Sequence, residues 1–564
     1  MWSTSTNRPG IARLIWPFLR PQAGRLLLAL LVGLLIAALG AAQPLLTRII
    51  IDQGLIGRRF DLLLDACLGM LALAICGLAL GAVHRVLYVR ASGRALFALR
   101  GAAYAHLLRV SPRRLAEIPV GDLTTRLDGD VAEVQRFGTD SAATVLSNLL
   151  GIGVAAVVMV KLSWQLTLLA AALLPLQLMV RHYARPRIEA STRAVRTEAS
   201  RISGFLIETL TGARAVQAAA AEQAEVQRLG QLGEHYLGRV LRAQLVSYGT
   251  GAAAGLLGNV TTAATFVLGG WYVLHGALSI GTLIAFLAYV GRSSGSATSL
   301  AGLYTGYQRA RVSLERVQQL LDLPVVQEHA DAMALPHGAR GALQLEAVTV
   351  SRARAGQSPL LDAVSCVIPA GSKLLLRGAS GAGKTTITDL LRRFVEPDAG
   401  RILIDGLPLE QIRLSELRRR IVVVEHTPQL FRGTILDNLR YGHPDVTEAA
   451  VLRAAIQARV DEFIADLADG YQTQVGEGGA GLSTGQRQRI AIARAALADP
   501  LIVILDEATS GLDREAARAI HRALDDAFAH RTRIVITHHA AEASAGDLCW
   551  QLEAGRLHQS PVSA

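Results

Sequence analysis

Gly378-Ala379-Ser380-Gly381-Ala382-Gly383-Lys384-Thr385-Thr386 is the stretch best equipped for chemistry. Glycines at a strand-to-helix turn let successive backbone N–H groups point at phosphate oxygens at a helix N-terminus. In that pattern Lys384 reaches the β and γ phosphates of a nucleotide and Thr385 holds Mg²⁺. Downstream, the apolar run Leu501–Leu505 ends in Asp506-Glu507. A carboxylate at the end of a buried strand suits Mg²⁺, directly or through water, and its neighbour suits a base for the attacking water. Between them, Leu482-Ser483-Thr484-Gly485-Gln486 precedes the basic helical stretch Arg487–Arg494. Small residues opening a helix again collect an anion. One nucleotide does not need two phosphate sites in one chain, but two chains placed head to tail do.

These residues need an α/β frame, and the sequence predicts one over 342–564. Residues 372–377 read as the strand feeding the glycine turn, with a helix after it. A Pro/Gly/Ala-rich linker spans 323–341, and residues 1–322 have a different character. There, runs free of Asp, Glu, Lys, Arg and His cover Leu26–Thr47, Ala66–Val83, Ser141–Val160, Leu162–Val180, Ala243–Leu274 and Gly276–Gly291. A helix needs about 20 apolar residues to cross the hydrocarbon core, so six spans are expected. The first run reads as a retained span rather than a signal peptide, being too long. Ile11–Arg20, with Trp16 and Phe18, reads as an interfacial helix.

Charge orients these spans. The loop 84–140 carries nine arginines and the loop 181–242 carries ten, while the other links are short and poor in charge. The positive-inside rule then puts both long loops and both termini in the cytoplasm. No Asp, Glu, Lys or Arg is expected deep in a span, which argues against a proton- or ion-coupled carrier. The chain is 51% hydrophobic and 18% charged, which excludes disorder. Its net charge is +11, with only three lysines, and this follows the membrane orientation rather than nucleic-acid binding. Cys67, Cys76, Cys366 and Cys549 show no metal or disulfide spacing.

Together these motifs resemble ATP-binding cassette (ABC) exporters of the half-transporter type. The resemblance rests on the glycine turn, Leu482–Gln486, Asp506-Glu507, Ser510-Gly511-Leu512-Asp513 and Thr537-His538. It implies an α-helical six-span domain joined to an α/β P-loop ATPase domain, with ATP and Mg²⁺ as cofactors. It also implies a dimer in which each ATP lies between one chain's P-loop and the partner's Ser483–Gln486. His538 would contact the γ-phosphate and Asp513 would communicate across the interface. Gly121–Arg126 resembles the first coupling segment, and Glu208–Gly212 the lead into a second near Ala218–Glu222. The implied setting is the inner (cell) membrane of a bacterium.

Three positions depart from that pattern. Arg352 stands where an aromatic residue stacks on adenine, and a guanidinium plane can also stack; the alternative is a base held less tightly. His426 stands at the switch glutamine, with Gln429 as a substitute if the loop shifts. One imidazole nitrogen could serve the metal or the catalytic water, although protonation would put a positive charge beside the metal. Thr484 stands where glycine is common, and its hydroxyl can still donate to phosphate. The expected activity is ATP-driven export of a hydrophobic or amphipathic substrate by a dimer, with a homodimer favoured over a heterodimer. The competing reading is a nucleotide-gated or weakly hydrolysing subunit of a heterodimer.

Overall fold

The computed structural model describes residues 11–329, 331–351, 358–379, 381–508, 517, 524, 527–537 and 547–560. The chain divides into two units. One comprises Met1–Ala105 with Val120–Asp322, and the other His106–Pro119 with Leu323–Ala564.

The first unit is helical. It contains α1 (Ile11–Leu19), α2 (Ala23–Ile49), α3 (Phe60–Leu107, whose last residues enter the second unit), α5 (Val120–Thr125), α6 (Val131–Leu162), α7 (Trp164–Thr211), α8 (Ala213–Ala218), α9 (Glu222–Leu274) and α10 (Ile280–Leu321), with α4 (Pro112–Ala116) belonging to the second unit. Each of the six apolar runs falls almost wholly in its own long helix. Among the described residues, four helical stretches are long and apolar enough to cross a membrane: Leu14–Ile56, Phe60–Leu107, Val120–Leu162 and Glu222–Leu274. The described part of α7 offers only the shorter apolar stretch Trp164–Leu173.

Local signals set the turns between spans. Ser163 caps α7, its hydroxyl accepting from the Leu166 N–H at 3.4 Å. Ser279 caps α10 in the same way, accepting from Thr282 N at 3.1 Å. Asp52 reinforces that start by accepting from Ser279 Oγ at 2.5 Å and from Gly281 N at 2.8 Å. Helices α3, α7 and α9 hold 48, 48 and 53 residues. At 1.5 Å per residue each runs to roughly 70–80 Å, more than twice a hydrocarbon core of about 30 Å. The excess length is where the arginines lie.

α10 continues without a break through Arg292. That residue stands about 18 Å along the helix, at 1.5 Å per residue. Its guanidinium lies over Gly40 of α2, where a Cβ would come within 2.3 Å of Nη2. A charge inside an apolar helix is tolerated because the glycine leaves room for it against a backbone carbonyl, that of Ala37 at 3.4 Å.

The second unit is built on two main sheets. An antiparallel sheet has the order β2-β1-β4-β5, with β1 Leu343–Val350, β2 Leu361–Ile368, β4 Ala399–Ile404 and β5 Leu407–Pro408. The larger sheet has the order β12-β11-β3-β10-β9-β6, with β3 Lys373–Gly378, β6 Ile421–Glu425, β9 Ile502–Asp506, β10 Thr532–Ile536, β11 Leu548–Glu553 and β12 Arg556–Gln559. Its five strands from β11 to β6 are parallel, and β12 closes the edge antiparallel. The ribbon β7 (Gly433–Thr434) with β8 (Gln474–Val475) completes the strands. The helices are α11 (Lys384–Leu391), α12 (Leu414–Arg420), α13 (Ile435–Arg440), α14 (Glu448–Gln457), α15 (Asp461–Ile464) and α16 (Thr484–Leu497). β9 reads Ile-Val-Ile-Leu-Asp because both of its faces are covered, and only Asp506 emerges.

Candidate nucleotide site

Sheet register lines the chemistry up. Glu425 pairs with Asp506, Asp506 with Ile536, and Ile536 with Leu376, two residues before Gly378. With strands about 4.8 Å apart, the ends of β3, β10, β9 and β6 form one edge roughly 15 Å long. Ligands bind at this carboxyl edge in parallel sheets.

The glycine turn fits a phosphate chain. Gly383 is the N-cap of α11 at φ 112°. A Cβ there would lie 3.2 Å from the Leu360 carbonyl oxygen, so the backbone conformation belongs to glycine. Gly378 is equally restricted, with a Cβ position 2.6 Å from the Leu552 carbonyl oxygen. The ammonium of Lys384 donates to the Gly378 carbonyl at 2.7 Å and the Ala379 carbonyl at 3.3 Å, so it lies folded over the turn. Thr385 is exposed on the first turn of α11, whereas Thr386 is buried in the packed face of the helix. Gly381 and Ala382 complete the described turn.

The opposite end of the edge gathers negative charge. Burial, then the negative charges of Glu507 and Glu425, lift the Asp506 carboxyl above the usual carboxylate range, while Lys384 and His426 pull it down. Carboxylates crowded this way are relieved by a metal ion. Glu507 has φ 51°, a left-handed value uncommon outside glycine. Its N–H donates to the Ile536 carbonyl at 3.0 Å, which ties the residue to the neighbouring strand. His426 follows β6, and its Nδ1 lies 3.2 Å from the Glu507 carbonyl oxygen. Gln429 donates to the Leu430 carbonyl at 3.3 Å and lines a cavity of about 380 Å³ with Glu425, Phe431, Tyr441 and Arg494. Of the two alternatives for the switch position, His426 is the one at the carboxylate edge.

Ser483 and Gln486 form a capping box on α16. The Ser483 hydroxyl accepts from Gln486 N at 3.2 Å, and the Gln486 side-chain oxygen accepts from Ser483 N at 2.8 Å. Thr484 Oγ1 accepts from Arg487 Nη2 at 3.2 Å, and Gly485 adds no side chain to this helix start. Arg352, Ser380, Asp513 and His538 lie outside the described residues.

The comparisons complete the picture. Residues 26–295 match the family model for the ABC transporter transmembrane region, and residues 361–510 match the ABC transporter model. An uncharacterized ABC transporter ATP-binding protein, YknV of Bacillus subtilis, is 31% identical over 94% of this chain and 87% of its own length. The chain belongs to the ABC transporters. It joins both domains of a half-transporter exporter, binds ATP and couples its hydrolysis to transport across a membrane that it spans several times. This ABC transporter is also similar to an ATP-dependent lipid A-core flippase of Chromobacterium violaceum, 30% identical over 94% of the chain and 91% of the relative. It is 32% identical to a multidrug efflux ATP-binding/permease protein of Mycobacterium bovis, over 94% of the chain but 44% of that longer relative. A bacterial Atm1-family ABC exporter with ATP bound has the same fold, with TM-score 0.79 at 24% identity over 96% of this chain and 95% of that one. The half-transporter fold calls for a dimer in a membrane.

Two groups of residues escaped the sequence reading. Glu425 and Gln488 frame His426: Glu425 sits beside Asp506, and buried Gln488 donates to the His426 carbonyl at 3.2 Å. No motif announces either. The other group is Ser111–Glu117. Gly121–Arg126 falls in the first unit, whereas His106–Pro119 belongs to the second. Ser111 Oγ donates to the Phe394 carbonyl at 2.6 Å, and Arg113 lies 3.9 Å from Asp389 of α11. Phe394 is itself sandwiched between Arg392 and Arg418, 4.6 and 4.8 Å from its centroid. Ser111-Pro112 was the available signal, a helix start in the middle of an Arg-rich loop.

Proposed function

We propose that this chain exports a hydrophobic or amphipathic substrate (a lipid, drug or peptide) by alternating access as a homodimer. The carrying observation is the shared register that puts Lys384, Asp506-Glu507 and His426 along one sheet edge, on a chain that also holds six long helices. Gly378 to Thr385 cradle the phosphates. Thr385, Asp506 and His426 hold the metal, and Glu507 takes the proton of the attacking water. Mg²⁺, when bound, neutralises charge on the β and γ oxygens. Ser483 to Gln486 of the partner chain close over the γ-phosphate, with His538 and Asp513 beside it. Arg352 stacks on the base. Domains 1–322 and 342–564, joined by 323–341, divide transport from hydrolysis. Both long loops and the ATPase domain lie on the cytoplasmic side of the inner membrane, as the arginines favour. The lipid A-core flippase and multidrug efflux relatives support an amphipathic cargo.

A second reading, a weakly hydrolysing subunit of a heterodimer, is favoured by His426 at the switch position. Purified chain in lipid bilayers, assayed for ATPase beside Glu507→Gln, separates the two. Turnover that the variant abolishes supports the homodimeric exporter, whereas no turnover by the unmodified chain supports the heterodimer.

A further inference from the structure

We propose that Arg292 selects the cargo by charge: its guanidinium holds the anionic headgroup of an amphiphile whose apolar chain lies along Ile284 and Ala288 of the same helix. The proposal rests on the export reading above and narrows its cargo class. One face of α10 is packed, with Leu283, Phe286, Tyr289 and Val290 buried in a cluster shared with α6 and α7. Another face is bare. Ile284, Ala288, Arg292, Gly295 and Ser299 recur every three or four residues along it and are exposed. On this stripe apolar side chains give way, at Arg292, to glycine and hydroxyl. α10 is accordingly not one of the described stretches apolar enough to cross a membrane unaided. In a bundle of spans, a helix face that carries a cation and a hydroxyl lines a water-filled path rather than lipid, because charge in hydrocarbon is costly.

The guanidinium is held in place but not neutralised. A Cβ on Gly40 of α2 would lie 2.3 Å from its Nη2 and 3.0 Å from its Cζ, so the glycine forms a notch around it. One turn earlier, Tyr289 donates its hydroxyl to the Ala41 carbonyl and anchors the same two helices. Arg292 itself donates to the Ala37 carbonyl at 3.4 Å, and among the described residues no carboxylate pairs with it. A guanidinium presents several N–H groups in a planar fork, and one carbonyl uses few of them. Phosphate or carboxylate oxygens match the rest of that fork and cancel the charge. From Arg292 back to Ile284 the stripe runs roughly 12 Å at 1.5 Å per residue, a length suited to an alkyl chain. A cationic amphiphile would add repulsion, and an uncharged one would leave the arginine uncompensated. A second copy packed on this stripe about a two-fold axis would set Arg292 against Arg292.

The test uses the full chain in lipid nanodiscs, without nucleotide, and a dodecyl phosphate carrying a diazirine at the end of its chain. Photolysis followed by peptide mapping should place the label within residues 280–290. Plain dodecyl phosphate should compete for that labelling at a concentration at least ~10-fold below that of dodecyltrimethylammonium, the factor a charge-assisted hydrogen bond supplies. Arg292→Gln should abolish the preference and Arg292→Lys should restore most of it. Gly40→Ala keeps the charge but displaces the guanidinium, and should lower the preference. Equal competition by the two amphiphiles in the unmodified chain overturns the proposal, as does a preference that survives Arg292→Gln. Absence of label on α10 overturns it too, and disulfide cross-linking between copies through Gly295→Cys would then assign the stripe to a second copy. Labelling with the expected preference, but no stimulation of ATPase by dodecyl phosphate in the same nanodiscs, overturns instead the export reading and leaves the site.

Discussion

Replacing Gly383 by alanine probes the phosphate turn most directly. Gly383 has φ 112°, beyond even the left-handed region that other residues occasionally enter, and its Cβ would sit 3.2 Å from the Leu360 carbonyl oxygen and 3.3 Å from Leu361 Cδ2. Backbone strain of this kind costs about 2–3 kcal/mol. Gly381 provides the internal control, because its φ is 78° and nothing lies within 4 Å of its Cβ position. There the cost is only the left-handed penalty, about 1 kcal/mol. For a domain of this size 1 kcal/mol moves the melting temperature by about 2–4 °C. Gly383→Ala should therefore lower the ATPase domain's transition by roughly 4–12 °C and Gly381→Ala by roughly 2–4 °C. Relaxing the strain also turns the N–H groups at the start of α11, so Gly383→Ala should weaken binding of a fluorescent ATP analogue at least ~10-fold. Thermal melting of both variants in nanodiscs, with and without nucleotide, gives both quantities. Equal losses in the two variants, or unchanged nucleotide binding in Gly383→Ala, would refute the assigned backbone geometry.

Other outcomes follow from the same structure. Asp506→Asn should raise the melting temperature of nucleotide-free protein, because the folded state lifts that carboxyl's pKa through burial, Glu507 and Glu425. A raised carboxylate pKa means the charged form is what destabilises, so the gain should appear as pH rises above about 4, grow until the folded-state carboxyl is ionised, and vanish in acid. The same variant should lose the stabilisation that nucleotide with metal confers, which melting curves at pH 4 and 7 would record together. Ser111→Ala removes the hydrogen bond to the Phe394 carbonyl. Hydrogen exchange around residues 390–396 should speed up in that variant, by the several-fold that about 1 kcal/mol allows. Gly281→Ala would push a methyl group to 2.7 Å from the Arg48 carbonyl oxygen and the Asp52 carboxyl. Loss of about 1–3 kcal/mol there should show as a lower melting temperature of the helical unit, and an unchanged value would contradict the capping of α10 by Asp52.

The sequence alone determined the kind of molecule. Glycine turn, buried strand ending in two carboxylates and small-residue helix start are local patterns, each set by the backbone needs of a few neighbouring residues. The six long helices were legible for the same reason, since apolar length is a property of a single segment. Tertiary structure decided what depends on distant pairs. Nothing local says that Glu425 stands beside Asp506, because strand order in a parallel sheet is set by crossovers rather than by neighbours. Nothing local distinguishes His426 from Gln429 at the carboxylate edge, since a shift of three residues in a loop changes which side chain meets Glu507. That Ser111–Glu117 belongs with the second unit was missed because its partners Phe394 and Asp389 lie nearly 300 residues away. The room for the Arg292 guanidinium is likewise provided by Gly40 of another helix. Short-range patterns carry the chemistry that a residue can do; only the packed chain decides which residues are close enough to do it together.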